Sequence, residues 1–159
     1  MLEDAFAALA HWAQDWQLSI SVEKCCVMDL GPVEKSLTFS VDGIMLPVMS
    51  SCHGLDVTVS QDLSFSEHIS SIVYKAHLRA NAVHRCFESC SINLLLCAYI
   101  VYVRPLLKHN TVIWSPNLKY DIEAIEWVQR QFTKWIPGFG NDTYNERLSQ
   151  LGIRTTLEL

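Results

Sequence analysis

Apolar residues along the first 16 positions recur at spacings of three and four: Leu2, Phe6, Leu9, Trp12, Ala13 and Trp16. That periodicity places them on one stripe of an amphipathic helix. Over residues 17–30 the pattern becomes strand-like, and "LTFSVDGIMLPV" (37–48) sets Asp42-Gly43 between two β-prone runs, a strong hairpin signal. Alternation of Leu55, Val57 and Val59 in "LDVTVSQDLSF" predicts a further strand. From Ser64 onward the period changes to helical. Ser64 and Glu67 fit a capping box ahead of Ile69, Ile72, Val73, Ala76, Ala80, Val83 and Phe87. A second helix is expected over 92–103, with Pro105 breaking or kinking it. A third is expected from a cap at Asp121 to Ile136, stopped by Pro137-Gly138, and a short fourth after the Thr143/Glu146 capping box.

These elements predict an α+β chain: one helix and short antiparallel strands over 1–65, then about four helices over 66–159. At 159 residues one domain with its own core, or part of a larger one, is the default. No internal repeat or low-complexity linker interrupts it.

Charge divides the chain near the same point. Residues 1–68 carry two basic and ten acidic side chains; residues 69–159 carry ten basic and seven acidic. Only the second part attracts a polyanion on charge grounds. Six cysteines without a secretory leader point to a reduced, intracellular setting. The longest apolar run, "INLLLCAYIVYV", has 12 residues and is too short to cross a bilayer, which needs about 20.

Candidate chemistry narrows quickly. No GxSxG, GxGxxG or GxxxxGK pattern is present among the six glycines. Cys86, Cys90, His77 and His84 share one helix, a poor geometry for tetrahedral zinc. Asp15, Glu23, Asp29 and Asp42 fall on different elements without ligand spacing, as expected of solvated acids. Cations at helical spacing remain: Lys75 and Arg79, with His68 as a further candidate, and Arg130 and Lys134 in "WVQRQFTKWIPG". Cations along a track beside aromatics suit a nucleic-acid backbone, though wet faces of amphipathic helices look the same. Trp114, Trp127 and Trp135 are expected in the core, with Val128, Phe132 and Ile136 also turned inward. Arg104 suits either a phosphate or a structural partner such as Asp121 or Glu123.

Five blocks, "HWAQDWQLSISVEKCCVM", "DLSFSEHISSIVYKAHLRANAVHRCF", "YIVYVRPLLKHNTVIWSP", "IEWVQRQFTKWIPG" and "YNERLSQLGI", together resemble the post-catalytic segment of reverse transcriptases from non-LTR, LINE-type, jockey-like retrotransposons, in order across nearly the whole chain. The resemblance implies an RNA-directed DNA polymerase, a nucleotidyltransferase of a transposable element. In it, 1–65 would be the end of the palm and 66–159 the thumb. It implies RNA template and DNA primer as partners, contact with the rest of the palm and fingers, and no membrane. Magnesium would serve the full-length enzyme, with no cofactor held by this chain. Cytoplasm and nucleus are the compartments expected for the family.

Lys24 matches the position of a late palm lysine that acts as general acid toward pyrophosphate. Asp56 stands where the family has a glycine in a Leu-Gly-Val primer-contacting turn. Two-metal transfer needs clustered aspartates, and this sequence has no Asp-Asp pair. The resemblance therefore implies a fragment that starts after the catalytic turn, stops before a following basic stretch, and is inactive alone. The alternatives are a non-catalytic nucleic-acid-binding or interaction protein, or an inert product of a decayed element.

Overall fold

The computed structural model describes residues 2–31, 38–41, 43–87 and 91–157. It is an α+β chain that divides into two compact units, Met1–Ser64 and Phe65–Leu159.

In the first unit, the apolar spacing forms helix α1, Leu2–Asp15. Its end is a Schellman motif: Leu18 N–H donates to the Ala13 carbonyl and Gln17 N–H to that of Gln14, with Gln17 at φ 54°. Of the expected stripe, Ala13 is buried, while Leu9, Trp12 and Trp16 are exposed. Residues 17–30 depart from the strand expectation. They hold a one-turn 3-10 helix, Val22–Lys24, and one isolated parallel bridge between Val27 and Val48. The bridge uses Val27 N–H to the Pro47 carbonyl (2.9 Å) and Met49 N–H to the Val27 carbonyl (2.8 Å). A strand needs a partner along its length, and here pairing stops at one residue.

Strands β1 (Ser40–Val41) and β2 (Ile44–Met45) form the expected hairpin, pairing Ser40 with Met45 and Val41 with Ile44. Gly43 takes φ 78° in its turn, and Asp42 lies outside the described residues. A second hairpin joins β3 (Ser51–Gly54) to β4 (Val57–Ser60). Leu55 and Asp56, expected as the start of a strand, are instead its two-residue turn, with φ 52° and 63°. Paired positive φ values match the right-handed twist of the flanking strands and are normally supplied by Asn-Gly or Asp-Gly.

The second unit is helical. Helix α2 spans Ser66–Cys86 and buries His68, Ile69, Ile72, Ala76, Ala80 and Val83. Phe65 holds its cap position, one residue beyond the expected Ser64. The expected 92–103 helix continues past its proline: α3 (Ile92–Ala98), a π-helical turn (Tyr99–Val103) and α4 (Arg104–Lys108) run end to end. Widening to π geometry lets Arg104 N–H reach back five residues to the Tyr99 carbonyl. Such a bulge re-routes the backbone bonds that Pro105 disturbs, so the chain bends without stopping. A one-turn helix α5, Thr111–Trp114, follows, an element absent from the periodic pattern.

Helix α6 spans Lys119–Trp135. Its cap is Leu118, so Asp121 lies in the first turn, buried, accepting from the Ser66 hydroxyl at 3.0 Å. Helix α7, Tyr144–Leu151, opens with the expected capping box: Glu146 accepts from Thr143 N–H (2.8 Å) and Thr143 Oγ1 (2.7 Å). These bonds hold the Glu146 carboxyl below its usual range, the hydroxyl contributing most. The core between α2, α4 and α6 contains Tyr99, Val103, Leu107, Ile125, Val128 and Phe132, each without solvent exposure. No described helix is long and apolar enough to cross a membrane.

Candidate nucleic-acid interface

Helix α6 has two faces because its apolar residues fall three and four apart. Val128, Phe132 and Ile136 turn inward, as expected, and Arg130 and Lys134 stand exposed one turn apart on the other side. Trp127 and Trp135 depart from the expectation of core tryptophans. They are 48% and 47% exposed, whereas Trp114 is fully buried and donates from Nε1 to the His109 carbonyl at 2.7 Å. The reason is register: Trp127 and Trp135 each neighbour an inward position rather than occupying one.

Arg130 and Lys134 line one groove between α6 and α7, a volume of about 500 Å³ shared with Trp127, Gln131, Tyr144 and Asn145. Tyr144 is its floor. The Arg130 guanidinium lies 4.9 Å from the centre of that ring and Arg147 lies 5.6 Å from it. Both cations therefore meet the electron-rich face of the same phenol.

Arg147 is the residue the sequence did not reveal. It is 4% exposed, and it donates to Thr133 Oγ1 (3.2 Å), the Asp142 carbonyl (2.8 Å) and the Arg130 carbonyl (3.4 Å). All of these acceptors are neutral. Ion pairs among the described residues include His11–Asp15, His53–Asp56 and Lys119–Glu123, none of which touches the groove. Arg130, Lys134 and Arg147 thus give one site three cations, with Asp142 the acid in its lining. An arginine buried beside leucine in a short helix gives no periodic signal, because burial of a charge depends on acceptors from other elements.

A buried polar network fixes Tyr144 from behind. Its hydroxyl donates to Glu126 Oε1 and accepts from Gln129 Nε2 at 3.1 Å. Gln129 also donates to the Arg154 carbonyl (2.8 Å), and its Oε1 accepts from Tyr99 (3.2 Å) and Thr156 (3.3 Å). Burial, foremost, and the Glu126 carboxylate push the Tyr144 hydroxyl well above its ordinary value; burial does the same for Tyr99. Both hydroxyls stay protonated, so the phenol that lines the groove is uncharged.

The remaining sequence candidates lie elsewhere. Lys75 and Arg79 are exposed one turn apart on α2 and do not line the α6–α7 groove; an Arg79 nitrogen sits 3.5 Å from the Tyr102 carbonyl. His68, expected toward solvent, is 4% exposed and edge-on to Trp114 with ring centres 5.4 Å apart. Arg104 pairs with neither Asp121 nor Glu123; it donates to the Thr155 carbonyl at 3.3 Å and helps hold the C-terminal segment. Lys24 is exposed at the end of its 3-10 turn in the first unit.

His84 packs on Phe132 and Trp135, with ring centres 4.6 and 5.0 Å away, and burial pulls its basicity down. Cys90 lies outside the described residues. Among the described residues no three His, Cys, Asp or Glu side chains gather to hold a metal ion. Asp15 ends α1, Glu23 sits in the 3-10 turn and Asp29 follows the Val27 bridge. These positions do not fit a two-metal arrangement.

No family model matches the chain, and no solved structure matches it. Among curated proteins, it is similar to the uncharacterized protein B0403.1 of Caenorhabditis elegans, 28% identical over 106 residues. That match covers 65% of this chain and 54% of the worm protein, so the chain spans about half the length of the relative it matches.

Proposed function

We propose that this chain is part of the RNA-directed DNA polymerase of a non-LTR retrotransposon and contributes template-primer binding through its helical second unit. The observation that carries the reading is the α6–α7 groove, where Arg130, Lys134 and Arg147 converge without a paired carboxylate among the described residues. Nucleic-acid backbones are held by cations that displace condensed counterions, and an exposed tryptophan at the rim adds a surface for sugar or base. Trp127 supplies that surface. In this reading 1–65 is late palm and 66–159 is thumb, Lys24 is the general acid toward pyrophosphate, and Lys75 and Arg79 extend the binding track along α2. The metal-binding aspartates and magnesium belong to parts of the polymerase outside this sequence.

The test is fluorescence anisotropy with a labelled RNA–DNA hybrid. Replacing Arg130 and Lys134 together by alanine is expected to weaken binding at least about tenfold, each phosphate contact contributing roughly 1 kcal/mol. Lys75→Ala with Arg79→Ala is expected to weaken it less. Affinity unchanged by the Arg130/Lys134 pair would remove the groove as the interface.

A further inference from the structure

Two thiols in the first unit meet across distant positions of the chain. Cys26 Sγ and Cys52 Sγ, separated by 26 positions, lie 3.2 Å apart, and both side chains are half-buried. Cys52 is held in β3 opposite Val59. Cys26 precedes Val27, whose amide and carbonyl are both bonded to residues on either side of Val48. Both sulfurs therefore sit on pinned backbone. Cys25 has extended backbone, so its side chain points away from that of Cys26, and its Sγ lies 3.4 Å from the Ser21 carbonyl. Of two adjacent cysteines, one faces the partner.

We propose that Cys26 and Cys52 are a redox site that closes to a reversible disulfide, tying the segment after Lys24 to the β3–β4 hairpin. The sulfurs must approach from 3.2 Å to about 2.05 Å, a small side-chain adjustment. The oxidant is a low-molecular-weight disulfide such as oxidised glutathione. One protein thiolate attacks it, forming a mixed disulfide and releasing one small thiolate. The second protein sulfur, deprotonated, then displaces the other small thiolate as the protein S–S bond forms. Two protein thiols are oxidised, one small disulfide becomes two thiols, and both protons end on the released thiols. The hydrogen bond shared with Cys52, with partial burial, holds the Cys26 thiol above its ordinary ionisation range, so closure accelerates as pH rises.

Closure changes the first unit more than its local geometry. A covalent tie is added to the single-residue pairing at Val27, and the unfolded chain loses the freedom of the enclosed loop. The segment following Lys24 is then fixed to the sheet in the oxidised state and held by two backbone hydrogen bonds in the reduced one.

The test equilibrates the full chain with reduced and oxidised glutathione, then quenches with alkylator and maps peptides by mass. A Cys26–Cys52 cross-link two hydrogens lighter than the reduced pair is expected, persisting in Cys25→Ser and absent in Cys52→Ser. Oxidation is also expected to raise the melting midpoint of the first unit by roughly 10–25 °C. Cross-links to Cys25 in place of Cys26, or glutathione left on both sulfurs without a cross-link, would overturn the proposal. Should Cys52→Ser fail to fold, the map of the unsubstituted chain and of Cys25→Ser still decides it.

Discussion

The two units end helices in the same way with different residues. In the second unit α7 closes on Gly152, at φ 65°, with Ile153 N–H bonded to the Leu148 carbonyl. In the first, α1 closes on Gln17 at φ 54°, where a side chain meets the left-handed strain that glycine avoids. The contrast extends to the cores. The second unit buries Tyr99, Val103, Leu107, Trp114, Ile125 and Phe132 completely, while the buried apolar residues described in the first are Ala13, Leu46 and Val57. Local geometry is similarly well formed in both, so what separates them is how much apolar surface each removes from water. The second unit has the means to hold a site rigidly; the first relies on few interior contacts.

Breaking that contrast begins in the second core. Phe132→Ala removes a ring that packs on Tyr99 and His84 at 4.6 Å each, and should cost about 3–5 kcal/mol in urea unfolding. A cost under about 1 kcal/mol would mean that this core is not the unit's support.

Acidification should act more gently on the same place. Burial holds His84 and His77 below the ordinary value of 6.5, so the unfolded chain takes up their protons first. Their contribution is complete above that value and is lost as pH falls through the folded ones. Urea midpoints should therefore drop between pH 7.5 and 5, and His84→Leu should flatten part of that drop. A midpoint rising on acidification would contradict the assignment.

The smallest effect is expected in the first unit. Trp12 and Trp16 are 51% and 66% exposed with rings 6.4 Å apart, and replacing both by serine should change its stability by less than about 0.5 kcal/mol. A larger loss, read by thermal unfolding, would show that this stripe is part of a core after all.

Legibility in the sequence followed the same division. Helix α2, the inward face of α6 and the Thr143/Glu146 box were readable because period and capping are local properties. Residues 17–30 misled because strand-like composition carries no information about a pairing partner. Leu55-Asp56 misled because a positive-φ turn without glycine is silent in the pattern. Pro105 was correctly marked as a disturbance, yet the π turn that absorbs it depends on the packing of Tyr99 and Val103. In the groove, Arg130 and Lys134 were legible as a helical pair, whereas Arg147 and Tyr144 join them only through the approach of α7 to α6.

The proposed role of the second unit requires that the groove meet phosphates. The most direct measurement is the dependence of hybrid affinity on salt concentration for the unaltered chain and for the Arg130→Ala, Lys134→Ala variant. Each lost phosphate contact should reduce the slope of log affinity against log salt by about 1, so the variant's line should be shallower by about 2. Two parallel lines would contradict it, since the cations would then touch no nucleic acid.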